Sequence, residues 1–153
     1  MPFNPEDFLK LAEQLYKDRG YQHVEEAAFR TSISRAYYAT FLRIREVIRE
    51  ILSRTYIIDY FEEVARTGRI HSCIKNLLGG VDRYMGSIYG RLLFLRRRSD
   101  YDLRSSISYK DVEEALGIAK RIREMLTKLY AAEIDKFSNI VLRYYSELKG
   151  RRY

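Results

Sequence analysis

Apolar residues recur every three or four positions along most of the chain, which is the spacing of one face of an α-helix. The longest run lies within 22–55, where the apolar positions are Phe29, Ile33, Ala36, Tyr37, Phe41, Ile44, Ile48, Ile51 and Leu52. Proline occurs only at positions 2 and 5, so no later helix has to be broken by proline. No segment alternates as a β-strand does, and the pattern therefore predicts an all-α fold.

The same spacing predicts four principal helices and a shorter one. Segment 57–64 is predicted either to continue the second helix or to form a short separate turn. Segment 96–102 is expected at the end of an element or in an ordered loop. The predicted helices cover 5–18, 22–55, 69 to the Gly79-Gly80 pair, 81–94 and 108–149.

The last predicted helix would be about 60 Å long at about 1.5 Å per residue, whereas a domain of this size has a radius of gyration near 15 Å. Either it breaks near 130–133 or its end projects from the bundle. We expect projection, with Phe137, Ile140, Val141 and Tyr144 packing on another chain. The prediction is one domain over 1–153, an up-and-down bundle of four to five helices, with 131–153 as an extended C-terminal helical tail in a homodimer.

Composition narrows the class of protein. Cys73 is the one cysteine among 153 residues, so neither an internal disulfide nor a zinc-binding thiolate cluster can form. The net charge of +7 favours anionic ligands such as nucleic acid or nucleotides, although an arginine-rich chain poor in Asn and Gln also suits a heat-adapted source. The first ten residues lack the apolar run of a signal peptide, and no stretch approaches the ~20 apolar residues of a membrane helix. A cytoplasmic location is predicted.

Five arginines, at 91, 96, 97, 98 and 104, form the densest charged cluster, interrupted by Asp100 and Asp102. Guanidinium groups presented together suit phosphate, because each donates two parallel hydrogen bonds and keeps its charge. The nearby Tyr101 and Tyr109 offer rings for base stacking. The alternative is that these arginines pair with neighbouring carboxylates on a solvated surface.

Arg35 lies on the most apolar predicted helix, next to Tyr37 and Tyr38. A buried guanidinium requires a paired carboxylate, and Asp100 or Asp102 is the first candidate. The alternative is that Arg35 lies at the edge of the helix and extends to water.

No phosphate-binding loop, H-E-x-x-H motif or pair of Cys or His at ligand spacing is present. Neither a metal site nor a cofactor is therefore predicted.

Two blocks and one histidine resemble the HEPN domain family: SRAYYATF at Ser34–Phe41, His71 at the start of the third helix, and LRRRSDYDL at Leu95–Leu103. The resemblance spans about Asp7–Ala131. It implies a bundle of four or five helices, commonly dimeric and often encoded beside a nucleotidyltransferase-like protein. Members of this family act as metal-independent ribonucleases, including toxins of toxin–antitoxin pairs, or as nucleotide-binding modules.

The ribonuclease members carry R-x4-6-H before the last helix, where the arginine steadies the phosphate and the histidine assists attack by the ribose 2′-hydroxyl. Here Arg96 is followed by Asp100 and Tyr101, and no histidine follows His71. Arg66 and His71 match the motif literally but precede the third helix. The resemblance therefore leaves catalysis open, with Arg96, Asp100, Tyr101 and His71 as candidate residues.

These features together favour a HEPN-like module that binds nucleotide or RNA phosphate and acts with a nucleotidyltransferase-like partner. Arg96, Arg97 and Tyr101 are the predicted ligand contacts, and Arg35 with Asp100 is the predicted structural ion pair. Two alternatives remain: a metal-independent ribonuclease toxin, and a non-catalytic protein-interaction scaffold.

Overall fold

The computed structural model describes residues 2–151 and contains α-helices throughout that range, with no β-strand in it. The all-α fold predicted from the sequence is confirmed. The elements are α1 (Glu6–Lys17), a 3-10 helix (Arg19–Val24), α2 (Glu25–Leu52), α3 (Ile58–Ala65), α4 (Arg69–Val81), α5 (Arg83–Tyr101), α6 (Tyr109–Ala132) and α7 (Ile134–Gly150).

A side chain and two acidic residues favour the start of α1 at Glu6. The side-chain Oδ1 of Asn4 accepts a hydrogen bond from the backbone N–H of Glu6 at 3.0 Å, which satisfies one of the free donors at a helix start. Glu6 and Asp7 lie in the first turn, where negative charge is favoured by the helix dipole. Beyond α1, Asp18 accepts a hydrogen bond from the N–H of Gly20 at 2.8 Å and begins the 3-10 helix.

The chain divides into two compact units. The first unit contains Met1–Leu42 and Ile88–Arg123, and the second contains Arg43–Ser87 and Glu124–Tyr153. The core of the first unit includes Ile33, Tyr37, Leu92 and Ile122, and that of the second includes Ile48, Phe61, Leu77 and Phe137. Within residues 2–151, no helix combines the length and the apolar character needed to cross a membrane.

Glycine allows a close approach between α4 and α5 and does not interrupt either helix. A Cβ added at Gly86 would lie 2.5 Å from the Cα of Gly79, well inside van der Waals contact. The sequence predicted that the helix beginning at 69 stops at the Gly79-Gly80 pair. Instead, α4 continues to Val81. The absence of a side chain at Gly86 lets the backbones of α4 and α5 come this close.

The C-terminal helix differs most from the prediction. It ends at Ala132, and Glu133 leaves the helical conformation with φ −135° and ψ 31° before α7 begins. The backbone hydrogen bonds continue across this residue, from the N–H of Glu133 to the carbonyl of Leu129 at 2.9 Å and from the N–H of Phe137 to the carbonyl of Glu133 at 3.0 Å. A single residue therefore separates the two helices.

The projecting tail expected from the sequence is not formed. Within the second unit α7 packs on α3 and α4, and Phe137, Val141 and Tyr145 are buried. The ring of Tyr145 meets that of Phe61 edge to face, with centroids 5.2 Å apart. The stripe assigned to a second chain is thus largely covered by the chain itself, because the turn at Glu133 lets its apolar face leave water.

Candidate functional site

The candidate site lies in the first unit, on the C-terminal half of α5 and the loop that follows it. Leu92, Leu95 and Ser99 of this helix are buried. Phe94, Arg97 and Tyr101 follow at helical spacing on another face and are exposed. The helix therefore presents a stripe of aromatic, basic and aromatic side chains, which we call the α5 stripe.

Arg96 is buried behind this stripe, with 8% of its surface exposed. Its Nε lies 2.9 Å from Oδ2 of Asp100; because the N–H does not point along that line, the contact is an ion pair without a directed hydrogen bond. Its Nη2 donates to the hydroxyl of Tyr38 at 2.6 Å and to that of Tyr101 at 3.3 Å. Arg96, which the sequence predicted as a ligand contact, is thus buried and engaged by these three side chains.

The electrostatic environment of Arg96 keeps it charged. Burial acts to lower the pKa of its guanidinium, but Tyr38, Tyr101 and Asp100 outweigh that effect and the pKa is raised. The guanidinium carbon also lies 5.2 Å from the ring centroids of both Tyr38 and Tyr101. Arg96 thus holds the ring of Tyr101 from one side and leaves that ring 71% exposed.

Asp100 has a different partner from the one predicted. Its carboxylate pairs with Arg96, four residues earlier on the same helix, and accepts a hydrogen bond from the hydroxyl of Ser34 at 3.3 Å. Arg35 donates to the same hydroxyl at 3.3 Å and lies over the ring of Phe8, 4.7 Å from its centroid. The i, i+4 spacing of Arg96 and Asp100 favours this local pair over the long-range one.

The five arginines of the cluster fall into two groups. Three are paired with carboxylates: Arg91 with Glu114, Arg96 with Asp100 and Arg98 with Asp111. Within residues 2–151, neither Arg97 nor Arg104 has a carboxylate partner, and both are exposed. The alternative that these arginines merely pair with neighbouring carboxylates therefore holds for three of them and fails for two.

A shallow pocket of about 450 Å³ opens beside the α5 stripe. It is lined by Phe94, Arg97, Arg98, Tyr101, Asp102 and Ser105. Phe94 and Tyr101 are 52% and 71% exposed, so both rings are accessible from this pocket. Positive charge combined with accessible aromatic rings is one arrangement by which proteins bind the backbone and bases of single-stranded nucleic acids.

Arg30 supports the wall of this pocket and was missed by the sequence reasoning. Its side chain, 15% exposed, donates hydrogen bonds to four backbone carbonyls at the end of α5 and in the next loop. The acceptors are Arg98, Ser99, Asp102 and Ser105. One guanidinium thus satisfies carbonyls that a helix end leaves free, and nothing in the sequence near Arg30 indicates acceptors about 70 positions away.

Two carboxylates also help to hold the loop that Arg30 contacts. Arg30 holds the pKa of Glu26 below its ordinary value, and the N–H of Ile107 adds to that effect. The hydroxyl of Ser105 lowers the pKa of Asp102, with further hydrogen bonds from the backbone of Arg104 and Ser105. The loop that lines the pocket is therefore held by ionised groups.

The four candidate catalytic residues do not all lie together. Arg96, Asp100 and Tyr101 touch one another in the first unit, whereas His71 lies in the first turn of α4, in the second unit. No group of three or more His, Cys, Asp or Glu side chains in the described part of the chain is arranged to hold a metal ion. The chemistry that the described site offers is anion binding and ring stacking.

The fold and this site define an all-α protein with an arginine and aromatic surface on one helix. The chain is 32% identical over 120 residues to the uncharacterized protein MJ0628 of Methanocaldococcus jannaschii, which covers 73% of this chain and 71% of that protein. It therefore belongs to the same family as MJ0628. A second protein of that organism, the uncharacterized protein MJ0992, is 29% identical over 140 residues, covering 83% of this chain and 76% of its own length. No protein-family model matches the chain, and no solved structure matches it significantly.

Proposed function

We propose that this protein is a HEPN-like module that binds nucleotide or RNA phosphate through Arg97 in the pocket beside the α5 stripe. The observation that carries the proposal is that Arg97 is exposed and has no carboxylate partner within residues 2–151, while accessible rings stand on either side of it. The sequence predicted contacts with the ligand from both Arg96 and Arg97. The proposal assigns the phosphate contact to Arg97, because Arg96 is buried. The chain's charge of +7 favours the same class of ligand.

The test is the binding of a fluorescent RNA oligonucleotide by Arg97→Ala at several salt concentrations. Each phosphate contact to a single strand contributes about 0.7 to the slope of log affinity against log salt. We expect Arg97→Ala to weaken binding about tenfold and to reduce this slope by about 0.7. Arg97→Lys should retain the slope but lose affinity, because an ammonium group cannot donate two parallel hydrogen bonds.

Arg83→Ala is the matched control, since Arg83 is an exposed arginine at the other end of the same helix. It removes the same charge from the protein without touching the pocket. If Arg83→Ala and Arg97→Ala change the affinity and the salt slope equally, the effect is one of net charge and the site is not at Arg97. Carrying out the incubation in EDTA and analysing the RNA on a gel separates binding from metal-independent cleavage.

The proposal keeps the partners that the resemblance implies, a second copy of the chain and a nucleotidyltransferase-like protein. The expected packing of 131–153 on another chain no longer supports the dimer, because Phe137 and Val141 are buried in the second unit. The dimer and the partner protein therefore rest on the family resemblance. Light scattering of the purified chain and co-purification with the product of the neighbouring gene test them separately.

A further inference from the structure

The two rings of the α5 stripe are each backed by an arginine that is itself held by a carboxylate. Arg91 donates from Nε and Nη2 to the carboxylate of Glu114 at 2.9 to 3.2 Å, and its guanidinium carbon lies 5.2 Å from the ring centroid of Phe94. A cation over a ring favours that position by attraction to the face of the ring. Phe94 is therefore held on one side and 52% exposed.

Tyr101 repeats this arrangement with different residues. Asp100 holds Arg96, and the guanidinium carbon of Arg96 lies 5.2 Å from the ring centroid of Tyr101. The two rings are thus restrained in advance, so less side-chain freedom is lost when a ligand covers their open faces.

The distance between the rings of Phe94 and Tyr101 along α5 limits which forms of nucleic acid can cover both. Phe94 and Tyr101 are seven residues apart on α5, which corresponds to two turns and about 10.5 Å along the helix axis. Neighbouring bases stacked in one strand of a duplex are only about 3.4 Å apart. A pair of stacked neighbours cannot cover both rings, and a mononucleotide has one base.

We propose that the α5 stripe binds single-stranded nucleic acid, with one base stacked on Phe94, a separate base stacked on Tyr101, and the intervening backbone phosphate on Arg97. This inference rests on the proposed function and narrows it to a strand with at least two unstacked bases. Stacking of this kind tolerates many sequences, because every base has a flat face. The stripe recognises an open strand without reading its bases.

The test compares a uridine hexanucleotide, uridine monophosphate and an RNA duplex on the full chain. We expect the hexanucleotide to bind at least tenfold more tightly than either of the others. Phe94→Leu and Tyr101→Leu should each weaken hexanucleotide binding about tenfold, because leucine keeps apolar bulk and removes the ring. A thymidine hexanucleotide is measured alongside, and binding of either strand supports the class of ligand.

Tyr84→Leu is the control variant, since Tyr84 is a 54% exposed residue on the same helix outside the stripe. This variant should bind the hexanucleotide as tightly as the unmodified protein does.

The two-base inference fails, and the phosphate site stands, if the mononucleotide or the duplex binds as tightly as the hexanucleotide. It fails in the same way if Phe94→Leu and Tyr101→Leu both retain full affinity while Arg97→Ala does not. If none of the nucleic acids binds, or Arg97→Ala changes nothing, the proposed function itself fails. Loss of a dimer in both leucine variants at unchanged affinity would assign the rings to a protein contact and overturn the inference.

Discussion

Replacing Arg30 with methionine removes the side chain that holds the end of α5 to the loop after it. Methionine keeps an apolar stem of similar length in the space that the arginine stem occupies, so the main loss is that of the hydrogen bonds. Arg30 donates from Nη1 to the carbonyls of Arg98, Ser99 and Asp102 at 3.2, 2.9 and 3.0 Å, and from Nη2 to that of Ser105.

The expected cost follows from how many of these carbonyls water can reach. The bonds to Arg98, Ser99 and Ser105 are partly buried, whereas the bond to Asp102 is exposed and its acceptor can turn to solvent. A shielded acceptor left unsatisfied costs about 1–3 kcal/mol. Taking the low end for three half-shielded groups, Arg30→Met should lower the free energy of unfolding by about 3 kcal/mol, a large part of the ~5–15 kcal/mol of a typical domain.

Urea unfolding followed by circular dichroism measures this change. Arg54→Met is the control, because Arg54 is exposed and surface substitutions of this kind stay within about 0.5 kcal/mol. Arg30→Lys should fall between the two, since one ammonium group with three donors cannot span four acceptors. Hydrogen exchange at the amides of Arg104 and Ser105, both bonded to Asp102, should accelerate in Arg30→Met. If the unfolding free energy of Arg30→Met is within about 0.5 kcal/mol of that of the parent, water replaces the hydrogen bonds of Arg30 and the predicted loss of about 3 kcal/mol is refuted.

Three further changes test the packing and the ion pairs. Gly86→Ala should destabilise the protein by about 2 kcal/mol or more, because the new Cβ would lie 2.5 Å from the backbone of Gly79; an unchanged melting temperature contradicts the close approach. Gly117→Ala should stabilise it by about 0.5–1 kcal/mol in the same assay, since in the described part of the chain no atom outside its chain neighbours and the adjacent backbone of α6 lies within 4 Å of the added carbon. Arg49 holds the pKa of Glu62 below its ordinary 4.5, so the stability from this pair is complete above that value and is lost as the pH falls through the lowered pKa. Urea midpoints of Glu62→Gln should therefore fall less than those of the parent between about pH 6 and pH 3, and equal slopes would remove the pair from the acid response.

Part of the candidate site was within reach of the sequence. The spacing of Phe94, Arg97 and Tyr101 places all three on one helical face, and the i, i+4 spacing of Arg96 and Asp100 favours their pairing. Neither relation holds if 96–102 lies at the end of an element or in a loop, which is where the sequence pattern placed it. Once α5 extends to Tyr101, the burial of Arg96 and the exposure of Arg97 follow from which side of the helix each residue occupies.

The sequence by itself determined the all-α class and the approximate bounds of α1, α2 and α4, because helical periodicity is a local property that a short window of residues carries. It also determined that the cluster at 91–104 would carry positive charge. Which arginines stay uncompensated depended on tertiary structure, since the partners of Arg91 and Arg98 come from α6. The same holds for Arg30, whose acceptors lie about 70 positions away, and for the turn at Glu133, where neither proline nor glycine marks the end of α6. There the apolar face of α7 gains more from packing on α3 and α4 than from remaining in water, and that balance is set by residues far apart in the chain.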